Sequence, residues 1–206
     1  MIVGLTGGLA AGKNLVAGFL KEFGAYVIDA DKIAKKILQP EMPTYKDIVK
    51  AFGHKILNND GTIKRKMLAK IAFSNQTFLK KLNAITHPKI IEEERKIARK
   101  ILKETPKALI VINAPLLIES GHFREMDKII VVDVKEEIQI KRANKKGFTK
   151  EEAITRIQSQ IQRKERLAYA DFIIDNNHNI QKTKEGTRKV FKELMGIVSS
   201  KKTSGN

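Results

Sequence analysis

The chain has 206 residues, 42% of them hydrophobic and 31% charged, a composition that can bury a sizeable core and excludes a disordered polymer. There is no cysteine, which excludes disulfides, thiolate nucleophiles and cysteine-ligated zinc. Forty Lys and Arg (40) against 23 Asp and Glu give a net charge of +17, a field that attracts polyanions, although lysine on solvated helix faces accounts for it as well. No apolar run approaches the ~18 residues of a membrane span. No cationic leader precedes the opening MIVGLTGG. The absence of tryptophan and of aromatic-interleaved basic motifs argues against a nucleic-acid partner. A cytoplasmic protein without a membrane partner is expected.

Five short apolar runs, at residues 2–6, 25–28, 108–112, 129–132 and 172–174, lack clean alternation and read as strands buried on both faces of a parallel sheet. After the first comes a glycine-rich turn, GLTGGLAAGKN at residues 4–14, then a helix with Leu15, Phe19 and Leu20 as its apolar stripe. The second strand ends in VIDADK, residues 27–32. Nearly eighty residues then separate it from the third strand, far more than one crossover helix needs, and they read as an all-helical insertion. One of its helices follows Asn75, with Phe78, Leu79, Leu82 and Ile85 at helical spacing. A basic helical segment at 136–169 precedes the fifth strand. Thr149 and Glu152 make a capping box there, and Ile154, Ile157 and Ile161 share one face. The polar tail, 199–206, reads as frayed.

The turn nearly matches the phosphate-binding pattern G-x-x-x-x-G-K-[ST] through Gly7, Gly12 and Lys13, in the required strand–turn–helix context. Successive N–H groups of such a turn hold phosphate oxygens, the following helix adds the positive end of its dipole, and the lysine reaches the β- and γ-phosphates. Asn14 occupies the position of the hydroxyl that normally faces Mg2+. Its carboxamide oxygen can ligate the metal, ligate through water, or leave the metal to the phosphates, and a loop that only binds nucleotide is a further reading.

Asp29 and Asp31 stand past the C-terminal edge of a strand, where carboxylates face the same crevice as a phosphate loop. Either can serve as the base that accepts a proton from an attacking hydroxyl, and either can simply cap the next helix. Arg142, in QIKRANKKG, can close over a triphosphate or belong to a solvated cationic helix. The four histidines show no metal-ligand spacing, and His87 before Pro88 can mark a turn.

With these pieces placed, the chain resembles the dephospho-CoA kinase family from about residue 2 to 190. The likeness runs through GLTGG and the GK pair, VIDADKIAK, and AFGHKILNNDGTIKRKML, which carries Phe52, Gly53, Ile56, Leu57, Asp60, Gly61, Arg65 and Leu68. It continues through THP at 86–88, NAPLLIE at 113–119, KRANKKG at 141–147, the spaced set Arg156, Gln160, Arg166, Ala170 and Asp171, and IIDNN at 173–177. The resemblance implies an α/β P-loop kinase fold: a parallel five-stranded sheet flanked by helices, with a helical CoA-domain insertion and a helical lid. It implies one domain with its core at 1–31, 107–135 and 170–198, an acceptor subdomain at 32–106, and a lid at 136–169. The implied reaction is transfer of a phosphoryl group from ATP, with Mg2+, to the ribose 3′-hydroxyl of dephospho-CoA.

The implied roles follow by position. Asp31 becomes the base, which decides between the two carboxylates, and Lys13 and Arg142 stabilise the transferring group. Gly8, Leu9, Ala10, Ala11, Gly12, Asn14 and Leu15 join Lys13, Arg142 and Asn176 around ATP, with Asn176 near the adenine. His87, Pro115, Leu116 and Leu117 join Asp31 near the acceptor, and Asn14 becomes the candidate Mg2+ ligand. Departures from the family pattern are Asn14 and Leu15 in place of Ser and Thr, Asn113 where an acidic residue is common, Lys64 in place of Asp, and Gln162 in place of a lid proline. Rival readings are a P-loop kinase for a nucleoside or nucleoside monophosphate, and a non-catalytic nucleotide- or RNA-binding protein.

Overall fold

The structure, a computed structural model, describes residues 1–200. Residues 201–206 of the expected tail lie outside them, while Ser199 and Ser200 complete the last helix. The five apolar runs are strands β1 (Ile2–Gly7), β2 (Tyr26–Asp29), β3 (Ile110–Asn113), β4 (Lys128–Asp133) and β5 (Phe172–Asp175). They form one parallel sheet in the order β2-β3-β1-β4-β5. Because helices cover both faces, β1, β3 and β4 bury nearly every residue, which is why they read as continuous apolar runs. The helices in chain order are α1 (Lys13–Glu22), α2 (Ala30–Ile37), α3 (Pro43–Phe52), α4 (Arg65–Ser74), α5 (Gln76–Glu104), α6 (Glu136–Asn144), α7 (Lys150–Gln158), α8 (Arg163–Ala168) and α9 (Ile180–Ser200). No helix among the described residues is long and apolar enough to cross a membrane.

The chain divides into two compact units, one of Met1–Ile28 with Ala98 onward, the other Asp29–Ile97. In the first, Val3, Leu5, Leu109, Val111, Ile130, Val132 and Ile174 from the sheet pack with Val16, Leu20, Val190 and Leu194 from α1 and α9. The buried face of α1 is therefore Val16, Ala17 and Leu20, rather than the expected Leu15–Phe19–Leu20 stripe. Leu15 and Phe19 lie at the flank, and the Lys184 ammonium sits 5.5 Å from the centre of the Phe19 ring. The capping box at Thr149 forms in both directions, but α7 stops at Gln158, so Ile161 lies beyond its end.

In the second unit Ile48, Phe52, Ile56, Ile63 and Leu68 form a separate core. The insertion is not purely helical. A short 3-10 turn at His54–Ile56 leads into a tight loop closed by an antiparallel bridge between Leu57 and Ile63. Asp60 organises that loop, its carboxylate accepting from the backbone N–H and hydroxyl of Thr62 at 2.9 and 2.6 Å. These two bonds hold the Asp60 carboxyl below its ordinary pKa. The Tyr45 hydroxyl donates to the Gly61 carbonyl at 2.6 Å. Much of the FG…IL…DG pattern is thus scaffold, with Phe52, Ile56 and Leu68 buried in this core. His87–Pro88 forms no turn, because α5 continues straight through it. Thr86 fills its own hydrogen-bonding capacity by donating to the Leu82 carbonyl one turn back.

Candidate active site

The C-terminal ends of the parallel strands gather the candidate groups of the first unit, as parallel α/β sheets dispose them. The chain leaves β1 at Gly7 and turns into α1 at Gly12, whose φ of 96° is left-handed. A Cβ at Gly12 would collide with the Asn176 amide, so both backbone and space require glycine. The turn closes with Ala11 N–H on the Gly8 carbonyl at 3.1 Å. The Leu9 N–H donates to Gln160 Oε1 at 2.9 Å.

Behind the loop, Asn176 is 2% exposed and fully engaged. Its Nδ2 donates to the Ala11 carbonyl at 2.6 Å, and its Oδ1 accepts from the Thr183 hydroxyl at 2.8 Å. Arg142 donates to the Asn176 carbonyl at 2.9 Å and reaches the Ala11 carbonyl at 3.5 Å. The structure therefore places Asn176 and Arg142 against the back of the phosphate loop, joined through one carbonyl.

In front, β1 and β3 pair so that Leu5 lies opposite Asn113. That register sets Asn113, 2% exposed, beside the start of α1. The Lys13 ammonium donates to Asn113 Oδ1 at 2.9 Å, and Asn113 Nδ2 donates to Asn14 Oδ1 at 3.1 Å. After Asn113 the chain runs through Pro115 and Leu116, both half-buried, to Leu117, which is fully enclosed against Gly4 of β1.

Arg166 of the spaced set and two residues the sequence did not single out, Gln139 and Asp133, complete this end. Gln139 and Arg166, 4% and 6% exposed, face the loop at Gly8, where any Cβ would meet both within about 3 Å. Burial disfavours the charged form of the Arg166 guanidinium and lowers its pKa, against the pull of Glu119 and Asp133. Asp133, at the end of β4, receives both arms of Arg163 at 2.7 and 2.5 Å, and that bond raises the arginine's pKa. The sequence signal for Arg166 is its place in the spaced set Arg156, Gln160, Arg166, Ala170 and Asp171. With Gln160 on Leu9 and Glu119 accepting from Ile161 N–H at 3.2 Å, these ties dock the α7–α8 segment on the sheet end.

The second unit holds the other candidates. Asp29 caps α2, its carboxylate accepting from Lys32 N–H at 3.1 Å. Asp31 stands exposed in the first turn of the same helix. The two carboxylates thus differ in duty, and the cap belongs to Asp29 alone. His87 is half-buried within α5, and burial lowers its pKa below the ordinary 6.5, so its ring is neutral near pH 7.

The loop, the amino end of α1 and the Lys13 ammonium are donors of the kind that suit a polyphosphate, with Arg142 and Arg166 packed around the loop. A metal is a different matter. Among the described residues no three His, Cys, Asp or Glu gather into a group that could hold one. At the two positions where a phosphate loop normally offers Mg2+ a hydroxyl and a carboxylate, this chain presents Asn14 and Asn113, and the Asn14 oxygen is already used by an amide donor. The residues do not fit a protein-held Mg2+.

A dephospho-CoA kinase family model matches residues 1–182. A dephospho-CoA kinase of Carboxydothermus hydrogenoformans is 44% identical over 187 residues, 89% of each chain. One from Aquifex aeolicus is 39% identical over 192 residues, covering 93% of this chain and 96% of that one. The solved structure of the dephospho-CoA kinase from Campylobacter jejuni is 31% identical and superposes with a TM-score of 0.70 over 95% of this chain and 97% of that chain.

Proposed function

We propose a reaction for this chain, which belongs to the dephospho-CoA kinase family: transfer of the γ-phosphoryl group of MgATP to the ribose 3′-hydroxyl of dephospho-CoA. The acceptor oxygen forms a bond to the γ-phosphorus as the bond from that phosphorus to the β,γ-bridging oxygen breaks. ADP leaves with the bond pair, and the hydroxyl proton passes to the Asp31 carboxylate. Mg2+ enters as part of the MgATP substrate and neutralises phosphate charge.

The observation that carries this reading is the Lys13-bearing loop at the end of β1 in a chain of this family. Phosphoryl transfer is chiefly positioning and charge neutralisation, so fixed amides and cations suffice without a covalent nucleophile. Residues 8–15 would wrap the phosphates, Lys13 and Arg142 would offset charge growing on them, and the 136–169 segment would act as lid. Asn176, with both amide atoms committed, would serve ATP by holding the loop. The helical insertion would hold the acceptor, with His87, Pro115 and Leu116 contacting it and Leu117 supporting that segment from beneath. Asp31 suits the role of base because its exposed carboxylate is spared the capping duty that occupies Asp29. A cytoplasmic location goes with such soluble substrates.

Purified protein with MgATP and dephospho-CoA should give ADP and CoA in equal amounts, with the new phosphate on the 3′-oxygen by phosphorus NMR. Turnover with AMP or adenosine instead would overturn the acceptor and leave the nucleotide loop. ATP binding without turnover on any acceptor would support the non-catalytic rival.

A further inference from the structure

The lysine–asparagine–asparagine chain at the mouth of the loop has only one sense. Lys13 carries donors and no acceptor, so the oxygen of Asn113 must face it, as it does at 2.9 Å. The Asn113 NH2 then faces Asn14, and only the Asn14 oxygen can receive it, at 3.1 Å. Asn113 is 2% exposed at the end of β3, so this orientation is fixed by the sheet and not by solvent. A donor N–H2 therefore occupies the ground where a metal needs an oxygen. A carboxylate at 113 would pair with Lys13 and offer Asn14 no donor, leaving the exposed Asn14 amide to turn its NH2 inward.

We propose that Asn113 and Asn14 act as one positioning unit in place of a metal-ligand pair: Asn113 holds the Lys13 ammonium over the loop and turns Asn14 away from the cation. The loop then grips the triphosphate through amides and lysine, and Mg2+ stays on the nucleotide with no direct protein ligand. This rests on the reading of the loop as the ATP site.

The test is the affinity of a non-hydrolysable ATP analogue measured by calorimetry in EDTA and in saturating Mg2+. The same pair of titrations is run on Asn14→Ser, Asn113→Asp and the double variant, with folding checked by near-UV circular dichroism. The wild-type affinity should change less than about threefold between the two conditions, and the double variant should gain roughly tenfold or more from Mg2+. In EDTA the losses of the two single variants should not add in the double variant, because Lys13, Asn113 and Asn14 belong to one hydrogen-bonded chain. A wild-type gain of tenfold or more on adding Mg2+ overturns the proposal. If the double variant does not fold, electron paramagnetic resonance of Mn2+–ATP on the wild type decides: an unchanged inner sphere supports the proposal, and loss of a water to a protein oxygen overturns it. Absence of ATP binding in both conditions removes the ATP reading itself, whereas tight but steeply metal-dependent binding removes only this inference.

Discussion

The two units hold their candidate groups in different ways. In the first, polar side chains in and around the glycine loop are tied in place: Lys13 to Asn113, Asn113 to Asn14, Asn176 to the Ala11 carbonyl and Thr183, Arg142 to the Asn176 carbonyl, and Gln160 to the Leu9 N–H. In the second, Asp31 projects from the opening turn of α2 into solvent, and the hydrogen-bonded rigidity goes to the Asp60 turn that shapes the unit. Binding a polyanion demands a cradle ordered in advance, because each amide must already point inward. Accepting a proton demands instead a carboxylate that is accessible and lightly bonded. The roles proposed above would call for this division of side-chain order.

The contrast can be broken most severely at Lys13. Lys13→Met removes the cation and the donor that orients Asn113, so it should weaken ATP binding and cut turnover by about 10²–10³-fold, read by calorimetry and steady-state kinetics. Next is Asn176→Ala, which leaves the Ala11 carbonyl and the Thr183 hydroxyl without their buried partner. It should cost about 1–3 kcal/mol of unfolding free energy and loosen the loop, raising the KM for ATP more than that for the acceptor. Denaturant melts together with the two KM values check it.

A smaller effect sharpens the contrast from the other side. The His87 pKa in the fold lies below 6.5 because burial disfavours its charged form. As pH falls, the unfolded chain therefore takes the proton first. Stability should be untouched above about pH 6.5, drop as pH falls through that value, and level off below the folded pKa. His87→Gln should flatten that limb in pH-dependent melts. The smallest change is expected for Asp133→Ala. It removes the ion pair between β4 and α8, but Arg163 is half exposed, so the loss should stay under about 1 kcal/mol and show mainly as faster proteolysis of 136–169.

Strands and loop were legible because their signals are local. A run such as ALIVI states its own burial, and a glycine turn between a strand and an amphipathic helix states its own geometry. The face of α1 was not, since Leu15 and Val16 are equally apolar and only packing against the sheet and α9 chooses between them. The continuity of α5 through Pro88 was hidden because proline disfavours a helix locally, yet the helix runs on through it. At the site, Asn14 and Asn113 were each conspicuous as departures. Their contact depends on a parallel register that pairs Leu5 with Asn113 across more than a hundred residues of chain. Gln139, Asp133 and the ties of the α7–α8 segment are long-range in the same sense, and no spacing rule carries them.

The central claim of the proposed function is that the Lys13-bearing loop holds ATP and that Asp31 accepts the proton. Its most direct test is Asp31→Asn, assayed in parallel for ATP affinity by calorimetry and for single-turnover transfer to dephospho-CoA. The account predicts an ATP affinity within about twofold of wild type and transfer slowed by about 10²–10⁴-fold, the range for loss of a general base. Transfer at the wild-type rate, or a fall matched by an equal loss of ATP affinity, would contradict it.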